Sequence, residues 1–330
     1  MEYAWRNNQP ETQTVLSPFA KDILDGLSAS PKYLSSKYFY DDVGSQIFQT
    51  IMRMPEYYLT DCEYEIFTTK KQQIFEAINH NETPFDLVEL GAGDGLKTKV
   101  LLEHFQNQNA DFYYVPIDIS AQAINELLGS LRQDFQDLKV KEKIGDYFEM
   151  MHELNETETN RKVLLFLGSN IGNFGHAKAV TFFRQLAEKM QPADKMLVGF
   201  DLKKDPNTIL RAYNDPHGHT AAFNLNLLKR INRELDADFD IDTFQHYPTY
   251  DPQTGTEKSY LVSKIAQTVK LGVPEKDIQF DAWEPIFMEI SQKYDETMIK
   301  KLAGEAGFWV VQNFYDPRHY FASSLWELQK

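Results

Sequence analysis

The spacing of apolar residues changes three times along this chain, and each change predicts a different kind of structure. Residues 1–60 are rich in aromatic side chains, among them Tyr33, Tyr38, Phe39, Tyr40, Tyr57 and Tyr58, with no regular period, and they predict irregular structure. From about residue 61, Ile66, Phe67, Ile74, Phe75 and Ile78 fall at helical spacing. Short apolar runs then alternate with amphipathic stretches. Leu87–Leu90, Phe112–Asp118, Val163–Gly168 and Met196–Asp201 predict strands, and Lys139–Gly145 a weaker one. Lys97–Leu102, Ala121–Asp134 and Ala177–Met190 predict the helices between them. Apolar runs of this length, separated by amphipathic helices, imply a parallel sheet covered on both faces.

That alternation stops at Asp201. Residues 204 to about 290 mix a helix over Thr220–Leu235, loops rich in Tyr and Pro, and a strand pair near Tyr260 and Ile278. Sheet signals return in Ala303-Gly-Glu-Ala-Gly-Phe-Trp-Val-Val311 and in Tyr320–Trp326. The pattern predicts an α/β protein in two parts: a Rossmann-like, mostly parallel sheet domain over 61–203 and 292–330, and a second α+β domain over 1–60 and 204–291 that serves the substrate.

Composition narrows the function. A formal charge of −15 disfavours a general nucleic-acid binder, because phosphate contacts need clustered Lys and Arg. The single cysteine, Cys62, excludes an intramolecular disulfide and a cysteine metal cluster. The eight histidines include no His-x-x-x-His pair, so no metal site is expected. The segment Met1–Asn8 lacks the apolar core of a signal peptide, and no apolar run approaches the about 20 residues of a membrane span. A cytoplasmic protein with no membrane association is expected, and no obligate protein partner is evident.

The chemistry starts where the first strand ends. Glu89-Leu-Gly-Ala-Gly-Asp-Gly95 is a strand leading into a glycine turn and then a helix, the layout of a nucleotide cradle. Gly91 and Gly93 let the backbone approach a ligand; the same glycines also suit a plain strand-to-helix turn. Glu89 argues against a pyrophosphate, since its carboxylate repels phosphate but can hold a cation or hydroxyl groups. Asp118, at the tip of the second strand, is placed to accept from both hydroxyls of a ribose, or else to cap the next helix, where Ser120 is the better cap. Asp146, after the third, can accept from an adenine amino group while the Tyr147 N–H donates to the ring; a Gly-Asp turn is the alternative. A glycine turn followed by acids at successive strand ends fits S-adenosylmethionine, which has a sulfonium, an ammonium and a ribose but no phosphate. A nicotinamide dehydrogenase would use the first two acids and has less use for the third.

Two further groups suit a substrate. Asn173, in Leu167-Gly-Ser-Asn-Ile-Gly-Asn-Phe174, binds substrate or fixes its loop. Glu289 and Ser291 stand two apart and share one face of a strand, where they can clamp a ring N–H or an ammonium, or simply face solvent.

Together these residues give the chain a family likeness. From about residue 15 to 328 it resembles the histidine-specific Nα-methyltransferases of ergothioneine biosynthesis. The motifs that carry the likeness are Tyr38-Phe-Tyr-Asp-Asp-Val-Gly-Ser45, Met54-Pro-Glu-Tyr-Tyr58, Glu89-Leu-Gly-Ala-Gly93, Pro116-Ile-Asp-Ile-Ser120, Leu167–Phe174, Arg211-Ala-Tyr-Asn-Asp215, Ala222-Phe-Asn-Leu-Asn226, Asn232–Phe239 and Glu289-Ile-Ser291. The likeness implies the class I S-adenosylmethionine-dependent methyltransferase fold, whose sheet usually closes with a helix, Ala-Gly-Phe and two adjacent strands. It also implies methylation of the α-amine of L-histidine as far as the trimethylated betaine hercynine. By the same likeness, Gly91 and Lys97 line the cofactor, Asp118 meets the ribose, and Asp146 and Tyr147 meet the adenine. Tyr40 and the Gly168 backbone sit near the substrate amine, with Tyr40 as its orienting group. Asn173 and Tyr213 hold the carboxylate, and Tyr57, Glu289 and Ser291 read the imidazole. Two departures stand out: relatives often have Phe in place of Tyr147, and the turn continues Asp94-Gly-Leu rather than with small hydroxyl residues. The rival substrate is another amino acid or amine, such as a tryptophan derivative.

Overall fold

The computed structural model describes residues 16–79 and 83–329, and the expectation drawn from Met1–Asn8 lies outside them. In chain order the helices are α1 (Pro18–Ser28), α2 (Asp42–Arg53), α3 (Leu59–Ile78), α4 (Thr98–Asn107), α5 (Ala121–Asp134), α6 (Tyr147–Thr157), α7 (His176–Ala187), α8 (Pro206–Tyr213), α9 (His219–Leu235) and α10 (Glu296–Glu305). The strands are β1 (Phe85–Leu90), β2 (Phe112–Asp118), β3 (Lys143–Ile144), β4 (Arg161–Phe166), β5 (Lys195–Asp201), β6 (Phe244–Asp251), β7 (Thr256–Ser263), β8 (Gln267–Gly272), β9 (Glu275–Phe280), β10 (Pro285–Gln292), β11 (Phe308–Tyr315) and β12 (Phe321–Leu328). The chain forms two compact units. The larger comprises Gln49–Gly218, Pro248–Ser259 and Ile290–Lys330; the smaller comprises Met1–Phe48, His219–Tyr247 and Tyr260–Glu289.

The larger unit is built on a seven-stranded sheet in the order β11-β12-β5-β4-β1-β2-β3. The pairs β2–β3, β1–β2, β1–β4 and β4–β5 are parallel, and β12 runs antiparallel between β5 and β11. Every residue of β1 is buried, because alternate side chains enter separate cores on the two faces. Leu87, Tyr114, Val163, Leu165 and Leu197 pack with Ile66, Leu101, Phe105, Leu127 and Leu131 of α3, α4 and α5. Val88, Leu90, Ile117, Leu164 and Val198 pack with Met151, Phe183, Leu186 and Leu302 of α6, α7 and α10. This is the α/β architecture that the apolar runs predict. The predicted third strand shrinks to two residues plus a bridge from Val140 to Tyr114. Its alternating lysines suit a solvated sheet edge better than an interior.

In the smaller unit the expected irregular N-terminal segment contains helices. Ser17 caps α1 by accepting from the Ala20 N–H, Pro18 occupies its first turn, and Phe19, Ile23 and Leu27 are buried at helical spacing. The helical period was therefore present, obscured by the aromatic residues beyond it. Phe223 on α9 meets Phe39, Tyr40 and Phe48 ring to ring. Tyr260 and Ile278, expected to pair, lie in separate sheets: β7 sits between β10 and β6, while β9 pairs with β8. The strands β6, β7 and β10 each run on from one unit into the other, at Tyr247/Pro248, Ser259/Tyr260 and Glu289/Ile290.

Candidate active site

The glycine turn stands at the end of β1. The Gly91 N–H donates to the Ile117 carbonyl at 2.8 Å, which ties the turn to β2. Gly91 and Gly93 have φ of 77° and 53°, a region that glycine enters freely. A β-carbon on Gly91 would lie 2.7 Å from the Tyr147 hydroxyl, whereas one on Gly93 would meet nothing within 4 Å. The turn is thus tight beside Tyr147 and open over Gly93.

Asp118 and Asp146 follow at the ends of β2 and β3, linked by the Gly145 N–H to the Asp118 carbonyl at 3.0 Å. Asp118 Oδ1 accepts from the Ser120 N–H at 2.9 Å, and Ser120 in turn caps α5. Asp146 caps α6, with Oδ1 accepting from the N–H groups of Phe148 and Glu149 at 2.8 and 3.4 Å. The sequence had suggested a turn for Asp146 and not a cap. These bonds all fall on Oδ1, so capping is compatible with Oδ2 accepting from a ligand. The Tyr147 phenol is pushed up to about 12, first by burial and then by the charges of Asp118 and Asp146. Gly91, Asp118, Asp146 and Tyr147 are therefore gathered in one place.

Glu89 sits beneath the turn, buried. Its Oε1 accepts from Thr98 Oγ1 at 2.7 Å and its Oε2 from the Tyr114 hydroxyl at 2.5 Å. Burial raises its carboxyl to about 7, against the opposing effect of these bonds and of Lys97. Both oxygens tie β1 to β2 and to the head of α4. Lys97 pairs with Glu63, a fully buried residue of α3. The same Glu63 carboxylate accepts the Gly168 N–H at 2.9 and 3.2 Å. One carboxylate thus joins Lys97 to Gly168, and the lysine is neutralised. With acids at both strand ends and that lysine occupied, the turn fits a ligand with hydroxyls, an amino group and positive charge. It fits a pyrophosphate poorly.

The substrate candidates fall into both units. In the larger, Gly168 opens the loop after β4 and Asn173 is the exposed end of a 3-10 turn over Asn170–Asn173. Tyr57 is half-buried just before α3. Tyr213 closes α8 and donates to Ser291 Oγ at 2.8 Å, and both residues are buried. In the smaller, Tyr40 leaves 49% of its surface exposed. Desolvation of its hydroxyl, followed by the Glu289 carboxylate, pushes the phenol up and keeps it protonated. Glu289 is half-buried on β10.

Residues 19–328 match the model of the family described as "Histidine-specific methyltransferase, SAM-dependent". The chain belongs to this family. It is 35% identical over 306 residues to the histidine N-alpha-methyltransferase of Mycolicibacterium smegmatis, covering 92% of this chain and 93% of that protein. It is 28% identical over 287 residues to ergothioneine biosynthesis protein 1 of Schizosaccharomyces pombe, covering 85% of this chain and 37% of that longer protein. A third relative, 26% identical over 305 residues, is the 4-dimethylallyltryptophan N-methyltransferase of Claviceps fusiformis, with 86% and 85% covered.

Within this histidine-specific methyltransferase the sequence reading missed Glu63, Tyr58, Asp201, Lys204 and Lys293. Tyr58 donates to both Asp201 oxygens, at 2.9 and 3.1 Å. Lys204 pairs with Asp201 and donates to the Tyr58 hydroxyl at 2.8 Å and the Leu202 carbonyl at 2.6 Å. Lys293 Nζ lies 2.7 Å from Asp201 Oδ2. One signal did exist: the two-residue spacing that singled out Glu289 and Ser291 continues to Lys293. Among the described residues no cluster of His, Cys, Asp and Glu could hold a metal ion, and no helix is long and apolar enough to cross a membrane.

Proposed function

We infer that this protein transfers a methyl group from S-adenosylmethionine to the α-amino nitrogen of L-histidine. The observation that carries the reading is the match to histidine-specific methyltransferases across residues 19–328. The cofactor supplies an electrophilic methyl on a sulfonium. For its binding we propose Gly91, Gly93 and Lys97 along the turn, Asp118 on the ribose, and Asp146 with the Tyr147 N–H on the adenine. Glu89, both oxygens engaged, contributes by holding the turn's shape.

Displacement at a methyl group needs a neutral amine with its lone pair in line, so catalysis is mainly positioning. The Gly168 N–H is used by Glu63, which leaves the Gly168 carbonyl to accept from the amine. Tyr40, kept protonated, orients the amine as a neutral hydroxyl and does not serve as a base. Removing the amine from water lowers its pKa and exposes the lone pair. We assign Asn173 and Tyr213 to the carboxylate, and Tyr57, Glu289 and Ser291 to the imidazole. The functional division we propose, 61–203 with 292–330 against 1–60 with 204–291, puts Tyr213 and Ser291 in the substrate module although both lie in the larger compact unit. The single-cysteine composition supports a cytoplasmic setting.

The test is the product mass after incubation with S-adenosylmethionine and histidine. Gains of one, two and finally three methyl groups on the α-nitrogen are expected, ending at the betaine. The second reading, a tryptophan-type amine, has the Claviceps relative in its favour and the polar pair Glu289 and Ser291 against it. Methylation of such an amine, with histidine left unchanged, would overturn the histidine assignment.

A further inference from the structure

Lys293 lies outside the roles assigned above, yet its surroundings decide what Tyr213 and Ser291 are able to do. The side chain is fully buried. Its ammonium stands 2.7 Å from Asp201 Oδ2, 2.7 Å from the Tyr213 hydroxyl and 2.9 Å from Ser291 Oγ. An ammonium has three hydrogens to donate and accepts none, so these three partners take all of them. The Tyr213 and Ser291 oxygens are also 2.8 Å from each other. Two hydroxyls carry two hydrogens. One lies between the two oxygens, whichever residue donates it, and the other is left for donation outside the trio.

Charge points the same way. Asp201 is fully buried and shared by Lys293 and Lys204. Burial opposes its ionisation, but the two ammonium groups outweigh this and hold its carboxyl below the usual range. Two ammoniums around one carboxylate favour an electron-rich group at the hydroxyl pair and disfavour a cation. Without Lys293, either hydroxyl could turn to accept.

We propose that Lys293 is a positioning residue for substrate selection, making Tyr213 and Ser291 one joint donor that gives a single hydrogen to an acceptor atom of the amino-acid substrate. This rests on histidine being the substrate, and it changes how the pair works. Tyr213 donating to the carboxylate and Ser291 donating to the imidazole are alternatives while the two hydroxyls stay bonded.

The test is a double-mutant cycle on the full chain, reading kcat/KM for histidine in Tyr213→Phe, Ser291→Ala and the double variant. Each single variant keeps one hydroxyl that accepts from Lys293 and donates outward, so each loses less than about tenfold. The double variant has no donor left and falls about tenfold or more below the product of the two single effects. Two independent donors predict the simple product, and that result would overturn the proposal. Histamine, which keeps the ring and the amine but has no carboxylate, separates the two acceptors. A double-variant loss seen for histidine but not for histamine places the hydrogen on the carboxylate; an equal loss for both places it on the ring nitrogen. Lys293→Met should raise KM for histidine about tenfold while KM for S-adenosylmethionine stays put. If that variant does not fold, the cycle decides alone, because it leaves the buried charges paired. Wild-type turnover of histidine tests the substrate assignment separately, so an additive cycle in an active enzyme overturns only the joint donor.

Discussion

The acids at the ends of β2 and β3 and the charges at the end of β5 are carried by one sheet, but they are held in opposite ways. Asp118 and Asp146 accept from backbone N–H groups two or three residues further on. Asp201 is fully buried, and its partners, Tyr58, Lys204 and Lys293, come from distant parts of the chain and from the next loop. A carboxylate held by its own turn costs the fold little and keeps an oxygen for a ligand. A carboxylate locked between two ammoniums has no oxygen to spare, and acts on a ligand only through the groups it orients. The origin of a carboxylate's partners, local or distant, is therefore what separates these two kinds of strand-end acid.

The largest effect expected from this contrast is on stability. Asp201→Asn leaves two buried ammonium groups without their counter-charge and should cost about 3–5 kcal/mol in urea unfolding. If it unfolds like the wild type, Asp201 is no more structural than Asp118 and the comparison breaks. Asp118→Ala is expected to do the reverse. Calorimetry should show S-adenosylmethionine binding weakened by about 1.5–3 kcal/mol, with unfolding shifted by about 0.5 kcal/mol or less. Unchanged affinity would remove Asp118 from the ribose. The smallest effect belongs to Tyr147→Phe. The proposed adenine contact is the backbone N–H, so affinity should change by less than about 1 kcal/mol. A larger loss would show that the hydroxyl beside Gly91 is itself a ligand contact.

The same contrast explains what was legible in the sequence. The strands β1, β2, β4 and β5 are apolar runs buried on both faces, and such runs announce themselves. Gly91, Gly93, Asp118 and Asp146 could be singled out because each lies at, or within a few residues of, a strand end. Helix α1 was missed because its few apolar positions are followed by aromatic residues that keep no period. The pairing of Tyr260 with Ile278 failed because strand-like composition does not say which sheet a strand joins. Lys293 meets Tyr213 across 80 residues, and Tyr58 meets Asp201 across 143. No local pattern marks such contacts, and a lysine near the end of a strand reads as a solvated charge until the fold buries it.

The position of β12 carries a consequence for synthesis. It is the last strand among the described residues, yet it lies inside the sheet, paired with β5 on one side and β11 on the other. Until residue 328 has cleared the ribosome, the edge of β5 stays open although everything upstream of it has been made. The larger unit therefore closes only after translation has passed β12, and a released chain truncated before Phe321 leaves unpaired the edges of β5 and β11 that β12 covers.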